Sequence, residues 1–242
     1  MLDKATALKD EIIRLRRDIH AHPELSFQEF RTAQLVADTL GEIGIENVRT
    51  GVGRTGVVAQ IGSSEGPTIG IRGDMDALPI QEAVDVPYAS ANPGVMHACG
   101  HDAHTAMLLG VAHLLQQSYA EEGEKWQGNV RLLFQPSEEA FDADGISGAT
   151  AMLTDDAMVG VDKVIALHVA SMEESGKMHF DDEYSLAAVD SFEVWIRATG
   201  SHGAYPHEGT DPFYMLSVIL PAVYGIPSRR INPLEQCVIS LG

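Results

Sequence analysis

The side chains able to do chemistry in this 242-residue chain fall into four groups. The densest is His97-Ala98-Cys99-Gly100-His101-Asp102-Ala103-His104. Thiolate and imidazole are good ligands for zinc and neighbouring transition metals. Cys99 and His101, two apart, can face one ion from an extended backbone, and Asp102 can accept the proton of a ligand imidazole. The other groups are Asp74 with Asp76, Glu138 with Glu139, and His168. Each has a plain reading when taken alone. An adjacent Glu-Glu pair is usually a solvated turn, Asp-Met-Asp can be turn chemistry, and one histidine after a strand can be a satisfied core residue. Cys99 could also be a nucleophile, with His101 or His104 as its base. The helix-borne HExxH of many metalloproteases and the paired-cysteine motif of zinc deaminases are absent. Metal ligation by Cys99 fits this set best.

Position along the chain decides whether these groups can meet. Short apolar runs predict strands at 56–61, 68–71, 130–134 and 164–167, of the kind buried on both faces. Leu8, Ile12, Leu15 and Ile19 recur at helical spacing. Ser26 and Glu29 resemble a capping box, followed by a helix with Phe30, Ala33, Val36 and Leu40 as its buried stripe and Gly44 beyond its end. A long helix after the second strand puts Met107, Val111, Leu114 and Leu115 on one side, and another helix is expected near 148–153. Alternating strands and helices predict an α/β domain with a largely parallel sheet. Ligands bind such a sheet in the crevice at the carboxyl ends of its strands. Asp74 and Asp76, Glu138 and Glu139, and His168 each follow a predicted strand, so they should converge there.

Near residue 187 the pattern changes. Phe192, Val194 and Ile196 alternate with polar or interfacial residues, as in a sheet with one wet face. Asp211-Pro212 is a good helix start, and that helix should run toward Tyr224, with Pro221 kinking or shortening it. A second strand is expected at 237–241. The predicted division is thus 1–186 for an α/β domain and 187–242 for a separate α+β unit. Two strands and one helix have little core of their own, so this unit reads as unfinished.

Composition narrows the function. The 35 acidic and 16 basic residues give a net charge of −19, which disfavours nucleic acid and anionic membranes as partners. Apolar residues make up 45% and charged residues 21%, an ordinary soluble balance. The first twenty residues are charged and helical without a signal-peptide core, and two cysteines indicate no disulfide framework. A cytoplasmic protein is expected.

The motifs RRDIHAHPELSFQE, GDMDALPIQE, MHACGHDAH, PSEEA, ALHV and GSHGAYPHEGTDP occur in this order. Together they resemble the M20 metallopeptidase superfamily, in particular its N-acyl-amino-acid amidohydrolase branch of hippurate hydrolases and plant auxin-conjugate hydrolases. The resemblance implies a zinc-exopeptidase-like catalytic domain holding a pair of divalent metals, for which zinc, manganese, cobalt or nickel would serve. It also implies an inserted ferredoxin-like α+β lid that dimerises. Cys99, His101, Glu139 and His168 match metal ligands, Glu138 the general base, and Asp76 the carboxylate that orients a ligand. His202 matches a residue that reaches the substrate carbonyl, often in the partner subunit's site, with His207 nearby. His20, His22 and Glu24 match a structural pattern.

The implied reaction splits an N-acyl amino acid, a small-molecule substrate, into a carboxylic acid and a free amino acid. A divalent metal lowers the proton affinity of a water it holds. Glu138 would take that proton and pass it to the leaving amine, while His202 steadies the developing oxyanion. The resemblance further implies a returning segment with another histidine ligand, which no residue here replaces, so this piece alone is expected to be inactive. The competing readings are a dipeptidase or succinyl-diaminopimelate-type deacylase, and a non-catalytic metal-binding or assembly fragment. Cys99 favours the acyl-amino-acid branch, since the others more often place a carboxylate in the bridging position.

Overall fold

The computed structural model describes residues 2–62, 65–180 and 188–241. Contacts divide the chain into two compact units, Met1–Ser175 and Gly176–Gly242. The expected boundary at 186/187 lies outside the described residues.

The first unit runs α1 Leu2–Ala7, α2 Lys9–Ala21, α3 Phe30–Glu42, β1 Val48–Val52, β2 Gly56–Gly62, β3 Thr68–Asp74, α4 His101–Glu122, β4 Asn129–Gln135, α5 Gly148–Thr154 and β5 Lys163–Ala166. The strands form one sheet of order β1-β2-β4-β3-β5. β3 pairs in parallel with β4 and β5, whereas β2 is antiparallel to both β4 and β1. Four of the five strands therefore point the same way, and the α/β class expected from the sequence holds.

Strand periodicity builds a core on each face of the sheet. Val57, Ala59, Ile61, Leu132 and Phe134 join Leu15, Val36, Leu40 and Leu109 on one side. Val58 and Leu133 face Met152 and Ala157 on the other. Each such apolar side chain contributes about 1.5–3 kcal/mol on burial, which fixes the register and with it the strand ends. α4 approaches α2 closely because Gly110 has no side chain: a Cβ there would lie 2.6 Å from Ile12 Cδ1.

Several local expectations are corrected. Ser26 and Glu29 form no capping box: the Ser26 hydroxyl donates to Asp76 Oδ2, and Glu29 turns inward. Glu29 Oε1 accepts from the Phe27 and Ser137 amides at 3.0 and 2.8 Å, and Oε2 accepts from the Thr55 hydroxyl. Buried donors outbid a solvent-side cap for a carboxylate. Glu24 instead accepts from the Arg31 and Thr32 amides at the start of α3. Phe30 is 69% exposed, because Thr32 rather than Phe30 completes the buried stripe of α3. On α4 the buried apolar face is Ala106, Leu108, Leu109 and Ala112, while Met107 is exposed. Ala106 and Ala112 share that face with the two leucines, and small residues escape a search for large apolar ones. β5 is an edge strand with Val164 and Ile165 exposed, not a strand covered on both faces. β1, rich in Thr, Arg and Gly, carries no apolar run and was not expected.

The second unit contains α6 Pro212–Tyr224 and α7 Ile226–Arg230. Asp211 caps α6 as expected, its Oδ1 accepting from the Phe213 and Tyr214 amides. Pro221 does not shorten α6, which continues to Tyr224. The predicted strands at 192–196 and 237–241 are not formed; these segments have no ladder partner among the described residues, and an unpaired strand is not stable in water. No helix of the described residues is long and apolar enough to cross a membrane.

Candidate metal centre

The three parallel strands deliver their carboxyl ends to one edge. β3 ends at Asp74, β4 at Gln135 and β5 at Ala166, with β3 in the middle. The loops that follow carry Asp76, Glu138 and Glu139, and His168 over that edge. The first residue of α4 is His101, reached through Gly100 at φ 88°. That left-handed turn needs glycine, and a Cβ there would also strike Val169 Cγ2.

His101 is fully buried and its two ring nitrogens are used differently. Nδ1 lies 3.2 Å from Asp76 Oδ1. Asp76 in turn accepts from the Ser26 hydroxyl at 2.7 Å and the Glu139 amide at 3.0 Å, so the carboxylate that orients the imidazole is itself fixed. This directs the His101 Nε2 lone pair to Glu139 Oε1 at 3.6 Å and Glu138 Oε2 at 4.0 Å. His101 Nε2 and Glu139 Oε1 are buried and have no hydrogen-bond partner among the described residues. On the other lip, Cys99 Sγ lies 3.3 Å from His168 Nε2, while His168 Nδ1 contacts the Val169 carbonyl at 2.7 Å. With Nδ1 donating to that carbonyl, the Nε2 lone pair faces the sulfur.

Ligand atoms of Cys99, His101 and His168 lie within 4.8 Å of one another, as do those of His101, Glu138 and Glu139. His101 belongs to both groups, and also to a third with Asp74 and His104. Sulfur, nitrogen and carboxylate donors turned toward each other, two of them buried and unpaired, suit a divalent cation. The residues present therefore fit the metal centre that their types suggest.

The local charges agree. Burial, then the neighbouring Glu139 carboxylate, push the Cys99 thiol up to about 12. Burial, then Glu139, also hold the Glu138 carboxyl above its ordinary value. Burial alone would lower His101, but the hydrogen bond to Asp76 and the charges of Asp74, Asp76 and Glu139 raise it. Beyond burial, the neighbouring carboxylates contribute to all three shifts in the same sense, and a bound cation would offset that charge.

Of the residues singled out in the sequence, Asp76, Cys99, His101, Glu138, Glu139 and His168 come together. His202 belongs to the second unit, in an exposed turn where its Nδ1 accepts from the Ala204 amide at 3.2 Å and its ring meets Tyr205. His207 is exposed in the short helical turn at Pro206–Glu208. His20 is buried, its Nδ1 2.7 Å from Asp102 Oδ2 and its Nε2 3.1 Å from Glu82 Oε1. Asp102 thus serves His20 and Arg16 rather than a ligand imidazole. Sequence reasoning gave Glu29 only the role of a helix cap, whereas it anchors the turn before Glu138. That reasoning gave His104 no role beyond a possible base for Cys99. Their signals were faint: one acid in a polar run, and a histidine one helical turn after His101.

Residues 70–223 match the family described as Peptidase family M20/M25/M40. Thermostable carboxypeptidase 2 of Saccharolobus solfataricus is 44% identical over 97% of this chain and 58% of its own length. The N-acyl-L-amino acid amidohydrolase of Geobacillus stearothermophilus is 43% identical over 97% of this chain and 61% of its own. The chain thus spans under two thirds of the length of these relatives. Among solved structures, the Bacillus subtilis YXEP protein, a dinuclear metal binding peptidase from the M20 family, is 45% identical with a TM-score of 0.60, over 67% of this chain and 44% of that one.

Proposed function

This chain belongs to peptidase family M20/M25/M40, and from that premise we propose that it carries the metal centre and general base for hydrolysing an N-acyl amino acid. The observation that carries the reading is the pairing of a buried, unpartnered ligand face, His101 Nε2 and Glu139 Oε1, with a neighbouring Glu138 that is exposed and whose carboxyl is raised. In this reading Cys99, His101, Glu139 and His168 hold a pair of divalent ions. Asp76 keeps His101 Nδ1 protonated and so its Nε2 free to ligate. Zinc, manganese, cobalt and nickel all accept this donor set. When bound, the metal supplies a Lewis acid and a more acidic water.

The residues of the chain then move the proton. Glu138 takes it from the attacking water on a carboxylate oxygen and gives it to the leaving nitrogen. The C–N bond breaks, and R–CO–NH–CHR′–COO⁻ plus water becomes R–COO⁻ and the free amino acid. Its raised carboxyl suits a group that must be base first and acid afterwards. His202 is proposed to donate a hydrogen bond to the carbonyl oxygen as negative charge develops there. A homodimer formed through the second unit is part of the same proposal, supported by the exposed Trp195, Tyr214 and Val218. A cytoplasmic setting is too, supported by the free thiol of the exposed Cys237.

A second reading follows from the relative named a carboxypeptidase. The last peptide bond of a peptide is also an amide to an amino acid with a free carboxylate, so the two activities differ only in the acyl half. One assay separates them: metal per chain, with turnover of N-acetyl, N-benzoyl and indoleacetyl amino acids against blocked dipeptides. The expected result is metal-dependent turnover of the acyl amino acids by a protein of its relatives' full length, and no turnover by residues 1–242 alone. Glu138→Gln should lower kcat by roughly 10²–10⁴-fold with metal content unchanged. A loss of only a few-fold would remove Glu138 from the role of base.

A further inference from the structure

His104 sits in the first turn of α4, three residues after His101, and is buried. Its ring stands edge-on to His168, with centroids 4.6 Å apart. It also belongs to a candidate ligand group with Asp74 and His101, yet both of its nitrogens are already engaged. Nδ1 lies 2.6 Å from Asp74 Oδ1, and Nε2 accepts from the Val169 amide at 2.9 Å. The amide can only donate, so Nε2 carries the lone pair and Nδ1 the proton. That leaves no nitrogen for an ion.

The two partners are the ends of adjacent strands. Asp74 closes β3, where its backbone carbonyl is also held by the Thr105 hydroxyl at 2.7 Å. Val169 comes three residues after the end of β5, whose last ladder pair is Ala166 with Arg72. Beyond that pair the sheet no longer guides the chain. His168 is therefore positioned by what grips its neighbour, and the Val169 side chain lies against the space left by Gly100. Burial alone would raise Asp74, but the His104 hydrogen bond, with His101 and Arg72, brings it down to about 2, so it is a charged acceptor for Nδ1.

We propose that His104 is a positioning residue that clamps the Val169 amide to Asp74, and so aims His168 at Cys99 and the metal. The inference rests on the reading of Cys99 and His168 as ligands, but the clamp itself does not need an ion. The two hydrogen bonds can be separated by substitution. In His104→Asn the amide nitrogen falls near the place of Nδ1 and keeps the donor to Asp74. In His104→Gln the carbonyl oxygen falls near the place of Nε2 and keeps the acceptor for Val169.

The experiment titrates the protein with cobalt(II), following the thiolate-to-cobalt absorption, and measures amide exchange at Val169 by nuclear magnetic resonance without metal. His104→Asn is expected to weaken cobalt binding by about 10–100-fold, the size seen for residues that orient ligands, and to speed Val169 exchange. His104→Gln, which keeps the bond to Val169 and loses the one to Asp74, is expected to fall between the parent and His104→Asn in both, with equal melting temperatures for the two variants. Parent-like binding and exchange in His104→Asn would overturn the clamp. Equal loss of cobalt in both variants, with Val169 exchange unchanged, would make His104 a ligand instead. If the parent shows no thiolate-to-cobalt absorption, the ligand reading of Cys99 fails, and Val169 exchange still decides the clamp.

Discussion

The two units of the chain are built from similar amino acids and differ in what those amino acids have found to touch. In the first, Leu15, Val36, Leu109 and Phe134 are buried between sheet and helices. In the second, no described residue is buried, although α6 reads PFYMLSVILPAVY. Side chains proposed for chemistry follow the same division. His101 is fixed by Asp76, and Asp76 by Ser26 and Glu139. Among the described residues, His202 meets its own turn, at Ala204 and Tyr205. An apolar pattern therefore states what a segment is able to bury; whether it does so depends on a partner with a matching face.

The sharpest way to break this comparison is to ask whether the second unit takes part in chemistry. His202→Ala should lower kcat by about 10²–10³-fold, the size expected for an oxyanion donor, with little change in bound metal. Steady-state kinetics on acyl amino acids decide it, and an unchanged kcat would leave the reaction wholly to the first unit.

A second test measures the difference in packing. Leu109→Ala, which opens space in the buried core, should cost about 2–5 kcal/mol in urea unfolding. Val218→Ala, on a face of α6 that is exposed within one chain, should stay within about 0.5 kcal/mol at dilutions where single chains prevail. Similar costs would mean that the second unit is packed in solution, as pairing of two copies would make it.

The smallest expected effect is on pH dependence, and it belongs to the first unit alone. His20 is held above its ordinary value by its hydrogen bond to Asp102, against the opposing effect of burial and with help from Glu82. Protonation is thus favoured in the folded state. The stabilisation is fully present below the unfolded value of about 6.5, and is lost as pH rises through the higher folded value. The urea midpoint should fall over that window in the parent and stay flatter in His20→Gln. Identical slopes would show that His20 is not the titrating group.

Most of the site was legible in the sequence because strand ends in an α/β sheet are positions that hydrophobic runs already mark. Thr68 to Asp74 and Asn129 to Gln135 lie where their apolar residues predict, and the acids after them follow. The parts that were not legible depend on contacts between distant segments. Glu29 looked like a helix cap because a capping box is local, whereas its real partners, Thr55 and Ser137, lie far along the chain. Phe192 to Ile196 looked like a strand because alternation is local too, whereas a ladder is not. His104 was in plain view but its task needs two strands to be neighbours, which β3 and β5 are only in space.

Glu29 also has a consequence in time. Its carboxylate joins the turn at Phe27 to Ser137, which lies 108 residues after Glu29, and both Phe27 and Ser137 have positive φ, at 59° and 43°. Neither turn is favoured by its own sequence, so each waits for the same buried acceptor. Helices form from neighbouring residues and need no such meeting, whereas contacts across long stretches of chain are slow. The segment carrying Glu138 is therefore expected to be among the last to take shape. During refolding the helical signal should return before exchange protection at the Ser137 amide, and simultaneous recovery of the two would break that order.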